Sequence, residues 1–401
     1  MLSQNTSKIL PRSIASLKNL KEFWNTLPQN KRPKKIKGKF FKENIDVMLS
    51  TISQKLINGK YEFKKLDFKP IPKGENSYRI ICSPDISDRF VQRFILNKLT
   101  NPDRLKVGNN ISYGSLKGRG VHAAVEQAMV FRKQFSWALK TDISSFFDKI
   151  NRNQLIEVLN RKLRRSSLFP LLKLVISCEI KDAKTKEHRE ILKNSGIKTG
   201  NGLRQGMPLS PFLSNFFLMS FDKTIIRKSF KAIRYVDDII VFCNSEKECK
   251  NIEKIITMEL KKLQLSIPSL IEAKSKTQMI KPHDPVIFLG FEIYKSNNGM
   301  YLKKIPKKTI TRCLDDLEKY SDYKKSLEAG LTFITLFRRL DSKLKGYESA
   351  FKGASNLKEF LDFFKRDVDK LKKRLIDDMF GIEIFSLLSK EKKKFLGFET
   401  I

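Results

Sequence analysis

The sequence predicts an α+β fold: an antiparallel sheet with helices on one face, followed by a helical C-terminal region. Three observations carry that expectation. Phe135-Ser136-Trp137-Ala138-Leu139-Lys140-Thr141-Asp142 reads as a buried strand, and apolar residues at helical spacing (Ile150, Leu155, Ile156, Leu159, Leu163) follow it. Ala232-Ile233-Arg234-Tyr235 and Ile239-Ile240-Val241-Phe242 flank a tight acidic turn, the pattern of a hairpin. Leu357, Phe360, Leu361, Phe364, Val368, Leu371 and Leu375 mark one apolar stripe, read as helix packing in a bundle. Strand, helix, hairpin, helix and strand in that order suit a sheet covered on one face.

From Tyr78 to Ala124 short strands are expected among basic loops. Ser144 and Ser145 offer N-caps for the helix after Asp142. Lys181 to Gly202 is polar and glycine-containing, hence a loop or basic hairpin. Pro208 or Pro211 opens an apolar helix to about Ile226. Glu246 to Leu263 is an amphipathic helix, and Val286 to Ile293 is one strand. A turn at Asn297-Asn298-Gly299 sends that strand back into Met300 to Leu302. After Lys308 the chain is helical.

Lys and Arg total 80 against 43 Asp and Glu, a formal net charge of +37 over 401 residues. An excess of that size repels itself unless an anionic partner absorbs it, and nucleic-acid backbones release counterions when they do so. Thirty Phe against 2 Trp supply a core more than a stacking surface. Five cysteines form no C-x-x-C pair and three histidines lie far apart, which argues against a zinc finger or a disulfide scaffold. Free buried thiols suit a reducing compartment, and a cytoplasmic location is expected. No apolar run approaches the roughly 18 residues of a membrane helix, so no membrane partner is expected. Lys31 to Lys39 is a basic run, either a nucleic-acid arm or a solvated linker. Met1 to Lys21 contains no acid and several Ser and Lys, a faint resemblance to a transit peptide that a basic leader on a nucleic-acid protein would share.

Acidic residues supply the chemistry. Joining a nucleotide to a 3′-hydroxyl needs two divalent ions about 4 Å apart. Mg²⁺ is a hard ion that prefers carboxylate oxygens, so carboxylates from separate strands must converge at one sheet edge. Asp142 ends the first strand, and Asp237 and Asp238 occupy the hairpin turn. An Asp-Asp turn by itself is weak evidence, because Asp favours turns. Its context is more specific. Asp142-Ile143-Ser144-Ser145-Phe146-Phe147-Asp148, Gln205-Gly206-Met207-Pro208-Leu209-Ser210-Pro211 and Tyr235-Val236-Asp237-Asp238 occur in that order.

These strings resemble the three palm motifs of reverse transcriptases. The resemblance runs from about Arg79 to Gly290, and more weakly beyond. It implies a right-hand polymerase fold: a basic extension over 1–60, fingers over 61–134, an RRM-like antiparallel palm over 135–304 with a fingers insertion near 164–204, and a helical thumb over 305–401. It implies that Asp142, Asp237 and Asp238, with the Ile143 backbone, bind two Mg²⁺ ions, or Mn²⁺ in their place. Phe147 matches the aromatic gate that collides with a ribose 2′-hydroxyl, although a core aromatic would look the same. Ser144 and Ser145 fall beside the nucleotide. Gln205 and Gly206 match the loop under the incoming base. Arg79 resembles the residue that clamps the triphosphate, joined by Lys73. Lys276 matches a lysine near the pyrophosphate, a possible general acid, while a plain surface lysine is the alternative. Lys117 and Arg119 are template phosphate contacts by the same resemblance. Tyr235 belongs to the turn motif, and Leu289 and Gly290 to a primer-grip hairpin.

The layout is similar to group II intron and retron enzymes. Neither a zinc-finger or His-Asn-His tail nor the retron Asn-Ala-x-x-His and Val-Thr-Gly signatures are found, and no integrase or ribonuclease H pattern follows. What remains resembles the stand-alone bacterial enzymes of antiphage defence and abortive infection. That implies a partner noncoding RNA as template, deoxynucleotides as substrates and DNA as product. Template-independent synthesis is the close alternative. A non-catalytic nucleic-acid scaffold and a nucleotide cyclase are the remote ones.

Overall fold

A computed structural model describes residues 9–28, 44–74, 77–101, 105, 107–272, 275–381 and 384–395. The basic run Lys31 to Lys39 lies outside the described residues. The chain divides into two compact units, Met1–Gly120 with Ala138–Met279, and Val121–Trp137 with Ile280–Ile401.

In the first unit, β1 (Asp67–Gly74) and β2 (Ser77–Ser83) form an antiparallel ribbon. A second sheet is built from β3 (Trp137–Asp142), β4 (Lys231–Tyr235), β5 (Asp238–Cys243) and β6 (Gln278–Ile280), in the order β4-β5-β3-β6. Ile239, Ile240, Val241, Phe242 and Cys243 are all buried, which explains why β5 reads as a continuous apolar run. The helix Glu246–Lys261, capped by the Ser245 side chain on Glu248 N, packs on β5 and buries Cys249, Ile252 and Ile256. All five cysteines are buried and free.

Several local expectations are corrected. The segment after β2 is dominated by a helix, Ile86–Thr100, started by an Asp85 side-chain cap. The helix after Asp142 is broken in two, Phe146–Lys149 and Arg152–Leu163, because Asn151 caps a fresh start through Gln154 N. Ser145 precedes the short helix in a left-handed conformation (φ 49) and makes no side-chain cap, nor does Ser144 cap it. Lys186–Asn194 is a helix capped by Thr185, with Ile191 its one buried residue, so apolar periodicity could not reveal it. The apolar helix expected to about Ile226 starts at Ser210, with Pro211 in its first turn, and breaks at Leu218 into Ser210–Phe217 and Met219–Arg227.

In the second unit, β7 (Val286–Phe288), β8 (Phe291–Lys295) and β9 (Tyr301–Lys304) form an antiparallel sheet. The single strand expected from Val286 to Ile293 is therefore a hairpin. Leu289 and Gly290 both have positive φ (48 and 86), which reverses the chain. The turn through Gly299 into β9 is found. The helix Val121–Gln134 packs on β9, and Arg132 donates to the carbonyls of Lys281 (2.6 Å), Pro282 and Asp284 (both 3.0 Å). The helices Phe333–Ala350 and Leu357–Phe380 pair as their stripe requires, burying Phe360, Phe364, Val368, Leu371 and Leu375. Each such side chain contributes roughly 1.5–3 kcal/mol.

Candidate functional site

The site grows from the ends of three strands of the first unit. Asp142 closes β3, and Asp238 opens β5, its neighbour in the sheet. Tyr235 pairs with Asp238, which leaves Val236 and Asp237 as a two-residue turn. The turn is tied to the end of β3 by one backbone bond, Ile143 N donating to Asp237 O at 3.1 Å. Asp142, Asp237 and Asp238 are thereby brought to one sheet edge.

The local electrostatics resist three anions. Burial raises the Asp238 carboxyl to about 6, with Asp237 and Asp142 adding to the effect and Lys140 opposing it. Asp237 is raised by burial and by Asp142, against its own backbone N–H and the charges of Lys276 and Arg79. Asp142 Oδ1 is buried and accepts no hydrogen bond. Oδ2 accepts from Lys276 Nζ. Among the described residues no three His, Cys, Asp or Glu side chains form a ready-made cation cage. An orphaned buried carboxylate oxygen beside two mutually repelling carboxyls does fit a hard divalent cation.

Lys276 is held there by its neighbour, since Thr277 Oγ1 bonds Thr141 Oγ1 (2.7 Å) on β3 and Pro268 O (2.5 Å). Lys140 was missed by sequence reasoning, although it stands two residues before Asp142 and so on the same strand face. Burial lowers its ammonium pKa, and Asp238 and Asp142 pull it back.

The largest omission is the support of the turn. Arg234, 1% exposed, uses all five N–H donors. Nε and Nη2 bind Asp222 Oδ1 (2.7 Å) and Oδ2 (2.5 Å), Nη1 binds Asn215 Oδ1 (2.9 Å) and Val236 O (3.0 Å), and Nη2 also binds Ser112 Oγ (3.0 Å). Val236 needs that hold, because a β-branched residue at φ 59 is strained by about 1–3 kcal/mol. Gly114 lies against it, where a Cβ would come within 2.7 Å of Val236 N and Cγ2. A lone Arg inside an apolar strand and a lone Asp222 in an apolar helix were the available signals, since each must find a partner.

Among the residues expected to meet a nucleotide, Phe147 is half-buried and touches Phe146 at 5.4 Å between ring centres. Its carbonyl accepts from Leu203 N at 2.7 Å, which joins the Phe146–Lys149 helix to the strap that ends in Gln205 and Gly206. Gln205 O accepts from Cys82 N at 2.7 Å. Gly206 (φ 102) has no room for a side chain, because a Cβ would stand 2.2 Å from Cys82 O. Gly206→Ala should therefore cost about 1–3 kcal/mol of stability, measured by thermal melting. Arg79 and Lys73 are exposed on the β1–β2 ribbon. Their charges reach Asp148, whose carboxyl is raised by burial and lowered by Arg204, Lys73 and Arg79. Arg79 is also felt at Asp237. Ser144 N bonds Ser266 O (2.9 Å), and Ser145 O accepts from the N–H groups of Asp148 and Lys149 (both 3.0 Å).

Lys117 is exposed. Arg119 Nη1 donates to the carbonyls of Asn109 (2.6 Å) and Ser112 (2.8 Å), and its guanidinium stacks on Tyr113, so it braces its own loop. Leu289 and Gly290 belong to the second unit, where Gly290 approaches Phe351. A cleft of 660 Å³ behind Gly206, lined by Cys82, Ser83, Arg89, Arg93, Leu27 and Pro208, was not foreseen. Its Arg89 bonds Ser83 Oγ at 2.5 Å.

Residues 71–293, more than half of the chain, match the family described as Reverse transcriptase (RNA-dependent DNA polymerase). This chain belongs to the reverse transcriptase family. Within it, the chain is 27% identical over 199 residues to the group II intron-encoded protein LtrA of Lactococcus lactis subsp. cremoris, covering 48% of this chain and 30% of that protein. It is 25% identical over 251 residues to the retron Ec83 reverse transcriptase of Escherichia coli, covering 60% of this chain and 65% of that one. The chain thus spans less than two thirds of the length of either relative. Among solved structures, apo telomerase from Candida tropicalis aligns at a TM-score of 0.42 and 18% identity, over 61% of this chain and 55% of that one. Family membership and the α+β architecture agree with the expected right-hand polymerase class. No helix among the described residues is long and apolar enough to cross a membrane.

Proposed function

We propose that the chain is an RNA-directed DNA polymerase that joins deoxynucleotides by two-metal phosphoryl transfer. We propose further that it copies a partner noncoding RNA in bacterial antiphage defence, from a cytoplasmic location. The observation that carries the polymerase reading is the meeting of Asp142, Asp237 and Asp238 at one sheet edge in a chain of this family, with Asp142 Oδ1 left without a partner.

Asp142, Asp237, Asp238 and the Ile143 carbonyl would hold Mg²⁺, or Mn²⁺ in its place. The chemistry such ions would supply there is activation of the primer 3′-hydroxyl and charge offset on the departing pyrophosphate. The chain's own residues do the rest. Arg79 and Lys73 bind the triphosphate from the ribbon, Ser144 and Ser145 line its path, and Gln205 and Gly206 seat the base pair. Lys276 holds a proton near the pyrophosphate. Lys117, Arg119, Tyr235, Leu289 and Gly290 serve template and primer, and the cleft with Arg89 and Arg93 suits the template strand. Residues 1–60 are a basic extension, 61–134 fingers, 135–304 palm with an insertion near 164–204, and 305–401 thumb. The net charge of +37 supports two nucleic-acid strands as partners.

Phe147→Val should raise incorporation of ribonucleotides relative to deoxynucleotides by roughly 10-fold or more, because a smaller side chain relieves the clash with a 2′-hydroxyl. Parallel extension assays with each nucleotide type check this. The template is identified by purifying the protein from its native locus and sequencing the nucleic acid bound to it. One discrete RNA with DNA complementary to part of it is the expected result. DNA with no complementary RNA would replace this reading with untemplated synthesis.

A further inference from the structure

Glu179 belongs to none of the sequence motifs, yet it lies at the centre of a charge clamp in the first unit. Its Oε1 accepts from Arg152 Nη1 at 2.6 Å and from Gly200 N at 2.9 Å. Its Oε2 accepts from Arg204 Nη2 at 2.6 Å. Both arginine side chains are buried, at 7% and 2% exposure, and Glu179 is at 25%. Arg152 Nε also binds Gly202 O (2.8 Å), and Arg204 Nη2 binds Lys198 O (2.9 Å). One carboxylate therefore fixes the strap from Lys198 to Arg204 at four points. Burial alone would raise that carboxyl, but the bonds from Arg204, Gly200 and Arg152 outweigh it and hold it below the usual range.

The strap leads straight into the nucleotide pocket. Gly202 N donates to Ile150 O (3.0 Å) and Leu203 N to Phe147 O (2.7 Å), so the clamp grips the backbone behind the proposed gate. The next residues are Gln205, bonded to Cys82, and Gly206. A second path is electrostatic. Arg204 Nε and Nη1 are buried without a hydrogen-bond partner, and the Arg204 charge is felt at Asp148, where Lys73 and Arg79 are also felt. Without Glu179, two buried guanidinium groups would lose their counter-charge, and the strap would relax toward solvent.

We propose that Glu179, acting through Arg152 and Arg204, is the positioning residue of the deoxynucleotide pocket, setting both nucleotide affinity and discrimination against ribonucleotides. The proposal rests on the polymerase reading above. It differs from a purely structural role in its readout, since the clamp touches the pocket and not the metal-binding carboxylates.

The test is steady-state primer extension by Glu179→Gln with deoxynucleotides and ribonucleotides measured separately. The expected result is a deoxynucleotide KM raised about 10–100-fold, the loss typical of removing a residue that orients a binding group. The kcat should stay within about 3-fold on the same grounds, and the deoxy-to-ribo preference should fall. Glu157→Gln, which removes an exposed carboxylate paired with Arg161, should leave all three values unchanged. If Glu179→Gln does not fold, Glu179→Asp keeps the charge with a shorter reach and should show a smaller KM rise. An unchanged KM and preference in a folded variant overturns the proposal, as does a fall in kcat alone or failure of both variants to fold. A wild-type protein that adds no nucleotide would instead overturn the polymerase reading.

Discussion

Replacing Asp237 and Asp238 together with alanine should stop DNA synthesis while nucleic-acid binding persists. Asp237 lies in the hairpin turn and Asp238 opens the strand after it; burial raises both carboxyls, with Asp142 adding to the effect at Asp237 and Asp237 and Asp142 at Asp238. Such a group is stabilised by a divalent cation and serves little structural purpose without one. Losing both should lower extension by more than roughly 10³-fold, beyond the loss from a single electrostatic contact. Binding depends on the +37 charge spread over the whole chain, so RNA affinity in a filter assay should change by less than about 3-fold. Synthesis that survives the double substitution would mean that the metal site is elsewhere.

Arg234→Met should have the largest effect on stability. Met fits a buried site but leaves Asp222 as a buried carboxylate whose one remaining side-chain partner among the described residues is Asn109 Nδ2, at 2.7 Å. Breaking one side of a buried pair costs about 3–5 kcal/mol, which for a unit of this size lowers Tm by roughly 10 °C. Activity should fall as well, because the bond to Val236 O is lost and the strained turn can relax. The paired variant Arg234→Met, Asp222→Leu separates the two effects. With both charges gone, most of the stability should return while activity stays low. Recovery of both would assign the pair to folding alone.

The strings around Asp142, Asp237 and Asp238 were legible because they are short, contiguous and in order, and the structure brings the three residues to one sheet edge. Arg234 was not, although its position in an apolar strand required a buried partner. That partner, Asp222, lies in a helix, and Ser112 comes from a segment 122 residues away. Glu179 has no local signature, since Arg152 and Arg204 come from different segments. Apolar patterning ran Val286 to Ile293 as one strand, because Leu seldom takes positive φ, whereas the resemblance to a primer-grip hairpin marked the reversal at Leu289 and Gly290. The helix Lys186–Asn194 escaped because periodicity reports burial, and it buries only Ile191. The union of Val121–Trp137 with Ile280–Ile401 in one compact unit is equally invisible to a reading along the chain.

The central claim is tested most directly by incubating the purified protein with a defined RNA template, an annealed DNA primer, the four deoxynucleotides and Mg²⁺, and sequencing the extended strand. The account predicts DNA complementary to the RNA, absent when the metal is chelated and absent from the Asp237→Ala, Asp238→Ala variant. Extension that ignores the template sequence, or none with either Mg²⁺ or Mn²⁺, would contradict it.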